Sequence, residues 1–331
     1  MNKIHEKSPC CGESIWRRGE RRRQCSVCLK TWRVWQKKKG RRCRRSDFKL
    51  LFRYLKHASG SLRQQAEKKQ ISAAAVSAQM AQTMKKFREM KSWPTFPEGE
   101  LILIADAMIE YIHGIPHTFY FLLIRSTNGN KASIGPFSVR INEGEGYEGW
   151  AQALQQLNPE VQKRIRVLVC DGVQSLIGIG KNRGWLIQRC QFHLRARISH
   201  YCSPRRFGKR PKYAKQIQKL VVIILTNRQP SIIQKALEQM KEIKEQTTSK
   251  SFKTVLSGFL KHYQDYRTYL YYPEYHLPVT SNSAEFLIGQ IRDLQYRARG
   301  FKSLKSLSSW IECYCKYTQT ITCNGKLSAP T

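Results

Sequence analysis

The sequence predicts an α/β protein: a mixed-sheet core with a helical insertion, preceded by two small basic modules. Three observations predict it. Apolar runs of strand length at 101–105, 118–125 and 132–140 are followed by helix and strand patterns in alternation up to residue 201. Between residues 46 and 90 the apolar spacing changes to about 3.6. Five of the eleven cysteines fall within the first 43 residues, which marks a small module held by metal. The length of 331 residues suits two or three domains. Hydrophobic residues make up 41% and aromatics 11%, enough for a real core, so the chain is not a disordered basic tail. The 59 Lys and Arg against 23 Asp and Glu give a net charge of +36, which points to a polyanion partner. No apolar window approaches the roughly 18 residues of a membrane span. Met1-Asn2-Lys3-Ile4-His5 has no apolar stretch to serve as a signal peptide, so the expectation is a cytoplasmic, nucleoid-associated protein with no membrane partner.

Residues 1–45 form the first module. Residues 1–60 hold 19 Lys or Arg against 4 Asp or Glu, a net of +15. Cys10-Cys11-Gly12 and Cys25-Ser26-Val27-Cys28, separated by a basic hairpin, read as the two knuckles of a zinc ribbon around a tetrahedral Zn²⁺. Cys25 and Cys28 make a regular knuckle. The other is irregular, with Ser8 where a C-P-x-C-G pattern has cysteine. Cys11 is then a ligand, and the fourth is Cys10 or His5. Arg21, Arg22 and Arg23 lie in the hairpin, and Lys37, Lys38, Arg41 and Arg42 follow it beside Trp32 and Trp35. A charge run is usually only a solvated face, but next to a ribbon with interleaved tryptophans it reads as phosphate contact.

The second module, 46–92, reads as three short helices. Phe48, Leu51, Phe52 and Leu55 give one stripe, and Gly60 breaks it. Ser61 caps a helix carrying Leu62 and Ala66, and Ser72 opens another through Val76, Met80 and Met84 to Phe87. Two helices joined by a tight turn in a basic segment suggest a helix-turn-helix, with Ser72 to Lys86 as the groove helix. Pro94 and Pro97 mark a linker.

The core spans 98–202 and 281–320. Leu101 to Ala105 is a strand ending in Asp106, and Thr118–Arg125 and Ala132–Arg140 complete an antiparallel meander. Tyr147–Leu157 is a helix, Ile165–Cys170 a strand ending in Asp171, Val173–Asn182 a helix, Trp185–Arg189 a strand and Phe192–Tyr201 a basic helix. That is the order of a ribonuclease H-like domain, in which the first and fourth strands lie side by side and parallel. Asp106 and Asp171 would then meet at one sheet edge. Two like charges so close call for a cation, and Mg²⁺ suits carboxylates and phosphate oxygens. A two-metal phosphoryl transferase usually has a third acid. Glu285 lies in the first turn of a helix opening at Ser281-Asn282-Ser283, with Asn282 or Ser283 as its cap. A lone acid there is ordinarily helix-dipole chemistry. Together with two strand-end aspartates it reads as the third ligand.

Residues 203–280 fill the gap between Asp171 and Glu285 as a helical insertion. Cys313, Cys315 and Cys323 read as core residues, and Tyr269, Tyr271, Tyr272 and Tyr275 as packing.

The order Asp106-Ala107, Cys170-Asp171-Gly172, Cys190-Gln191-Phe192-His193, Ser281-Asn282-Ser283-Ala284-Glu285 and Arg297-Ala298-Arg299-Gly300-Phe301 resembles an Asp-Asp-Glu transposase. It is most similar to the Mutator-like group of insertion-sequence transposases, in a form with an N-terminal zinc ribbon, over roughly residues 8 to 301. The resemblance implies that Asp106, Asp171 and Glu285 hold two Mg²⁺ ions, or Mn²⁺, for cleavage at inverted terminal repeats and strand transfer. It implies that Cys190 and His193 support the active site. Arg195, Arg197, Arg297 and Arg299 would line a DNA path beside the acids. The implied partners are double-stranded DNA, as element ends and target, and further copies of the chain on that DNA; no small-molecule substrate is implied. The rival expectation is a non-enzymatic DNA-binding regulator or an inactive transposase copy.

Overall fold

The computed structural model describes residues 3–8, 10–17, 22–33, 45–56, 61–203 and 213–323. Arg21, Lys37, Lys38, Arg41, Arg42, Trp35 and Gly60 lie outside these residues, as does the side chain of His5. The chain divides into two compact units, Met1–Asp47 and Phe48–Thr331.

The first unit contains an antiparallel sheet in the order β1 (Lys3–Lys7), β2 (Ser14–Arg17), β3 (Arg22–Cys25) and β4 (Thr31–Arg33). Among the described residues its buried apolar side chains are Ile15 and Cys25. So small a core cannot offset the ordering entropy of some thirty residues, and a metal is the natural supplement.

In the second unit α1 (Arg45–Leu55), α2 (Leu62–Lys69) and α3 (Ala73–Met90) follow the three predicted helices. Ser61 and Gln64 form a reciprocal capping box, and Ser72 accepts from Ala75 N at 3.1 Å. Val76, Met80, Met84 and Phe87 are the buried stripe of α3.

The main sheet runs β10-β9-β5-β6-β7-β11, with β8 also on β6. Its strands are β5 (Leu101–Ile112), β6 (Ile115–Ser126), β7 (Lys131–Ile134), β8 (Ser138–Ile141), β9 (Ile165–Cys170), β10 (Leu186–Arg189) and β11 (Thr320–Thr322). The run expected as one strand over 132–140 is two, because Gly135-Pro136 interrupts it, and both halves pair with β6. β5 and β9 pair in parallel, with Ile104 opposite Val169. Two residues further along each chain stand Asp106 and Asp171, so the parallel register sets the two positions side by side; the strand expected to end at Asp106 instead runs on to Ile112, because its pairing with β6 continues to Ile115, and Asp106 lies inside it.

Helices cover both sheet faces. α4 (Tyr147–Gln155), α5 (Pro159–Arg164) and α6 (Gln174–Asn182) share a core with Leu101, Leu103, Ala105, Tyr120, Leu122 and Ile124. On the other face α12 (Asn282–Ala298) packs on β5 and β6, and α13 (Leu304–Thr318) on β7 and α3. Arg88 of α3 pairs with Glu312 at 3.1 Å, and Lys316 donates to Arg88 O. Tyr54 of α1 packs against Trp310, with ring centroids 4.9 Å apart and planes tilted by 39°.

The insertion is helical: α8 (Ala214–Thr226), α9 (Pro230–Gln246), α10 (Lys250–His262) and α11 (Thr268–Tyr271). Its core includes Leu194, Ile198 and Cys202 of α7 (Gln191–Cys202). Buried Arg267 donates to the carbonyls of Ile224 and Asn227 at the end of α8. The Arg189–Asp265 pair, 3.1 Å, ties the insertion to the sheet. Tyr269 donates to Leu225 O, and Tyr271 accepts from Arg267. Cys313 and Cys315 are buried on α13.

Candidate active site

Asp106 sits on β5 opposite Phe121, and its Oδ1 accepts from Ala107 N at 2.9 Å. Asp171 is the residue after β9, its Oδ1 accepting from Val173 N at 3.1 Å. This tight turn leaves Gly172 at φ 112°, a backbone state open to glycine alone. Glu285 lies on α12. Gln191 N donates to Val279 O at 2.9 Å, so the two ends of the insertion are pinned together and Glu285 returns beside the end of β10.

The cap of α12 is Ser281 and not Asn282 or Ser283. Its hydroxyl does not cap the helix; it donates to Glu285 Oε1 at 2.9 Å. His193 Nδ1 lies 3.4 Å and Cys190 Sγ 3.8 Å from the same oxygen. Cys190 Sγ also accepts from Ser281 N. Cys190, His193 and Glu285 therefore present donor atoms within 4.8 Å of one another. Asp106, Asp171 and Glu285 do not form so tight a set among the described residues, as expected of like charges.

The electrostatics link these groups. Burial, then repulsion from Asp171 and, more weakly, Glu285, pushes Asp106 up to about 7, against the Ala107 N–H and His193. The Cys190 hydrogen bond, with the charges of Cys190, Glu285 and Asp106, lifts His193 to about 9 despite burial. Burial works against the Cys190 thiolate, yet the hydrogen bonds from His193 and Ser281 bring its pKa below the usual thiol value.

A fourth acid was missed in the sequence. Glu145 lies in the loop Asn142-Glu143-Gly144-Glu145-Gly146 before α4. Burial, then the charges of Asp171 and Asp106, pushes it up to about 7. An acid between glycines at a strand-to-helix crossing was the available signal, but it reads as ordinary turn chemistry. Asp106, Asp171 and Glu285 offer carboxylate oxygens, which fit a hard divalent cation, while His193 and Cys190 stand against Glu285.

In the first unit Cys10, Cys11, Cys25 and Cys28 place their sulfurs within 4.8 Å of one another, with Cys10 and Cys28 at 3.3 Å. Ser8 completes the irregular knuckle, its hydroxyl accepting from Cys11 N, Glu13 N and the Cys25 thiol. When Cys25 ionises, the Ser8 hydroxyl can turn to donate to the sulfur, and with the N–H groups of Cys28 and Val27 it brings Cys25 down to about 6, whereas hydrogen bonding to Cys28, burial and hydrogen bonding to Cys10 push Cys11 up to about 12. Four crowded sulfurs, one poised as thiolate, fit a soft tetrahedral cation.

Of the basic residues named from sequence, Arg22, Arg195, Arg197 and Arg299 are exposed and Arg23 is half-buried. Arg297 turns inward: it donates to Tyr54 O at 3.0 Å and lies over the Tyr54 ring. No described helix is long and apolar enough to cross a membrane. A search of curated proteins finds no match to the chain. A sequence model of the family described as "Transposase, Mutator family" matches residues 60–314.

Proposed function

The chain belongs to the Mutator family of transposases, and on that premise we propose that it binds inverted terminal repeats and performs metal-dependent DNA cleavage and strand transfer at Asp106, Asp171 and Glu285. The observation that carries this assignment is the parallel β5–β9 register that sets Asp106 beside Asp171, with the Gln191 N–Val279 O hydrogen bond returning the start of α12, and with it Glu285, to the end of β10. The sheet order, with β5 between antiparallel β6 and parallel β9, supports a ribonuclease H-like core. These acids would hold two Mg²⁺ ions, or Mn²⁺ in their place. When bound, such cations supply Lewis acidity to the scissile phosphate and offset the carboxylate charge.

The chain's own groups set the geometry. Ser281 and the Cys190–His193 pair fix one oxygen of Glu285. His193, protonated at neutral pH, offsets part of the acids' repulsion. The Ala107 N–H holds the Asp106 carboxylate within β5, and the turn at Gly172 holds that of Asp171 at the end of β9.

DNA binding falls to the remaining parts. The cysteine-rich unit, holding structural Zn²⁺ at Cys10, Cys11, Cys25 and Cys28, would present Arg22 and Arg23 to phosphate. The capped α2–α3 pair would serve as a helix-turn-helix through the exposed face of α3. Arg195, Arg197 and Arg299 would contact DNA near the core, while Arg297 holds α12 to α1.

The test uses purified protein, Mg²⁺ and DNA carrying the inverted repeats that flank the gene. Both cut ends and joined products are expected. Cutting without joining would make the protein a nuclease, and binding with neither would make it a regulator.

A further inference from the structure

We propose that Cys190 Sγ, His193 Nδ1 and Glu285 Oε1 form a binding site for one Zn²⁺ ion. Filling it withdraws Glu285 from the Mg²⁺ centre and stops cleavage, a consequence that rests on the reading of Asp106, Asp171 and Glu285 as the metal-holding acids. The three residues present donor atoms within 4.8 Å of one another. Nδ1 stands 3.4 Å and Sγ 3.8 Å from Oε1. A tetrahedral zinc, with bonds of about 2.0–2.1 Å to nitrogen and oxygen and about 2.3 Å to sulfur, would set these separations at about 3.3 and 3.5 Å. The donors therefore already stand close to the spacing of a coordination shell. As a hydrogen bond the 3.4 Å contact is too long. Nδ1 is closed to solvent, and its approach to the carboxylate does not satisfy it.

The ligands are held in place by the fold. Cys190 caps α7 and His193 lies in its first turn, three residues on, so both face the same way. Cys190 N donates to Cys170 O at 2.8 Å, and Gln191 N to Val279 O at 2.9 Å. These bonds fix that turn against β9 and against the segment leading into α12. Ser281 gives outer support: its N–H donates to Sγ at 3.3 Å and its hydroxyl to Oε1 at 2.9 Å. The serine alone would orient the carboxylate. A buried thiol adds only a weak hydrogen-bond donor, whereas its thiolate is a strong soft ligand. Thiolate and imidazole favour Zn²⁺ over Mg²⁺, which selects an oxygen shell. Cys190 is buried, while His193 and Glu285 are partly exposed, so an ion enters from their side. Three protein ligands leave a fourth position for water or a DNA phosphate. Binding releases the thiol proton, and that of an imidazolium, to solvent. A carboxylate whose charge is spent on Zn²⁺ holds Mg²⁺ poorly, and the two dications repel.

Equilibrium dialysis of the full-length protein against buffered Zn²⁺, read by elemental analysis, tests the site in wild type, Cys190→Ser, His193→Gln and Asp171→Asn. Wild type and Asp171→Asn should each hold one more zinc per chain than the other two, whatever the four-cysteine cluster retains. That extra zinc should bind at least about a hundredfold more weakly in Cys190→Ser and His193→Gln, because losing even an outer partner costs about ten- to hundredfold. Equal zinc in all four proteins would overturn the proposal. Thermal melts in chelator check folding; if the buried Cys190→Ser unfolds, the partly exposed His193→Gln decides. In wild type, added Zn²⁺ should stop Mg²⁺-dependent cleavage and excess Mg²⁺ should restore it. An extra zinc that leaves cleavage untouched would keep the site but overturn its effect on Glu285. The zinc count decides the site even in a preparation that cuts no DNA, so its failure is separate from failure of the catalytic reading.

Discussion

Asp106→Asn should stabilise the metal-free protein, and the gain should grow with pH. The folded-state pKa of Asp106 stands at about 7, against 3.8 for a free aspartate, because burial and Asp171 disfavour its charge. The folded chain therefore holds this proton more tightly than the unfolded one. Stability falls as pH rises from about 4 to 7, and above that the whole penalty is present. At about 1.36 kcal/mol per unit the shift sets a ceiling of about 4 kcal/mol at pH 8 and about 1 kcal/mol at pH 4.5. Asparagine keeps the acceptor for Ala107 N and carries no charge to desolvate. Thermal melts in chelator at the two pH values provide the assay. With roughly 2–4 °C per kcal/mol in domains of 150–250 residues, a rise of about 8–16 °C is the upper expectation at pH 8. A variant no more stable than wild type at pH 8, or equally stabilised at both pH values, would refute the electrostatic reasoning.

Three further outcomes follow from the same geometry. Gly149→Ala should cost about 1–3 kcal/mol by overpacking, since a Cβ there would sit 2.1 Å from Tyr120 Oη; denaturant melts would register it, and a neutral result would mean the loop yields. Cys190→Ser should lower the His193 pKa from about 9, because the Cys190 hydrogen bond is the largest contribution raising it; the ring resonances in an NMR pH titration would show the shift, and an unmoved midpoint would remove Cys190 from that role. Full-length protein should purify with one zinc per chain and lose it in Cys11→Ser and Cys28→Ser, whose sulfurs belong to the four-cysteine cluster; elemental analysis giving near-zero zinc in wild type would leave the cluster without metal.

The apolar runs before Asp106 and Asp171 are legible as buried strands, and the parallel β5–β9 register then sets the two residues side by side. The stripe Val76, Met80, Met84 and Phe87 also reads directly as the buried face of α3. What covers that face does not, since Glu312 and Lys316 lie more than 220 residues away. Glu285 stands out in sequence through its helix start, but the Ser281 hydroxyl that donates to it looks like an ordinary cap. Ser8 read as a defect in a zinc knuckle, whereas its hydroxyl gathers two backbone N–H groups and a thiol. β11 is only three residues long, too short for any alternation to show.

The most direct test of the central claim is cleavage of DNA carrying the element's ends by Asp106→Asn, Asp171→Asn and Glu285→Gln, with DNA affinity measured on the same preparations. On the proposed assignment of Asp106, Asp171 and Glu285 to one metal centre, each variant should lose strand cleavage and strand transfer while binding DNA as wild type does. Wild-type cleavage by Asp171→Asn would contradict the assignment and leave DNA binding as the function the chain retains.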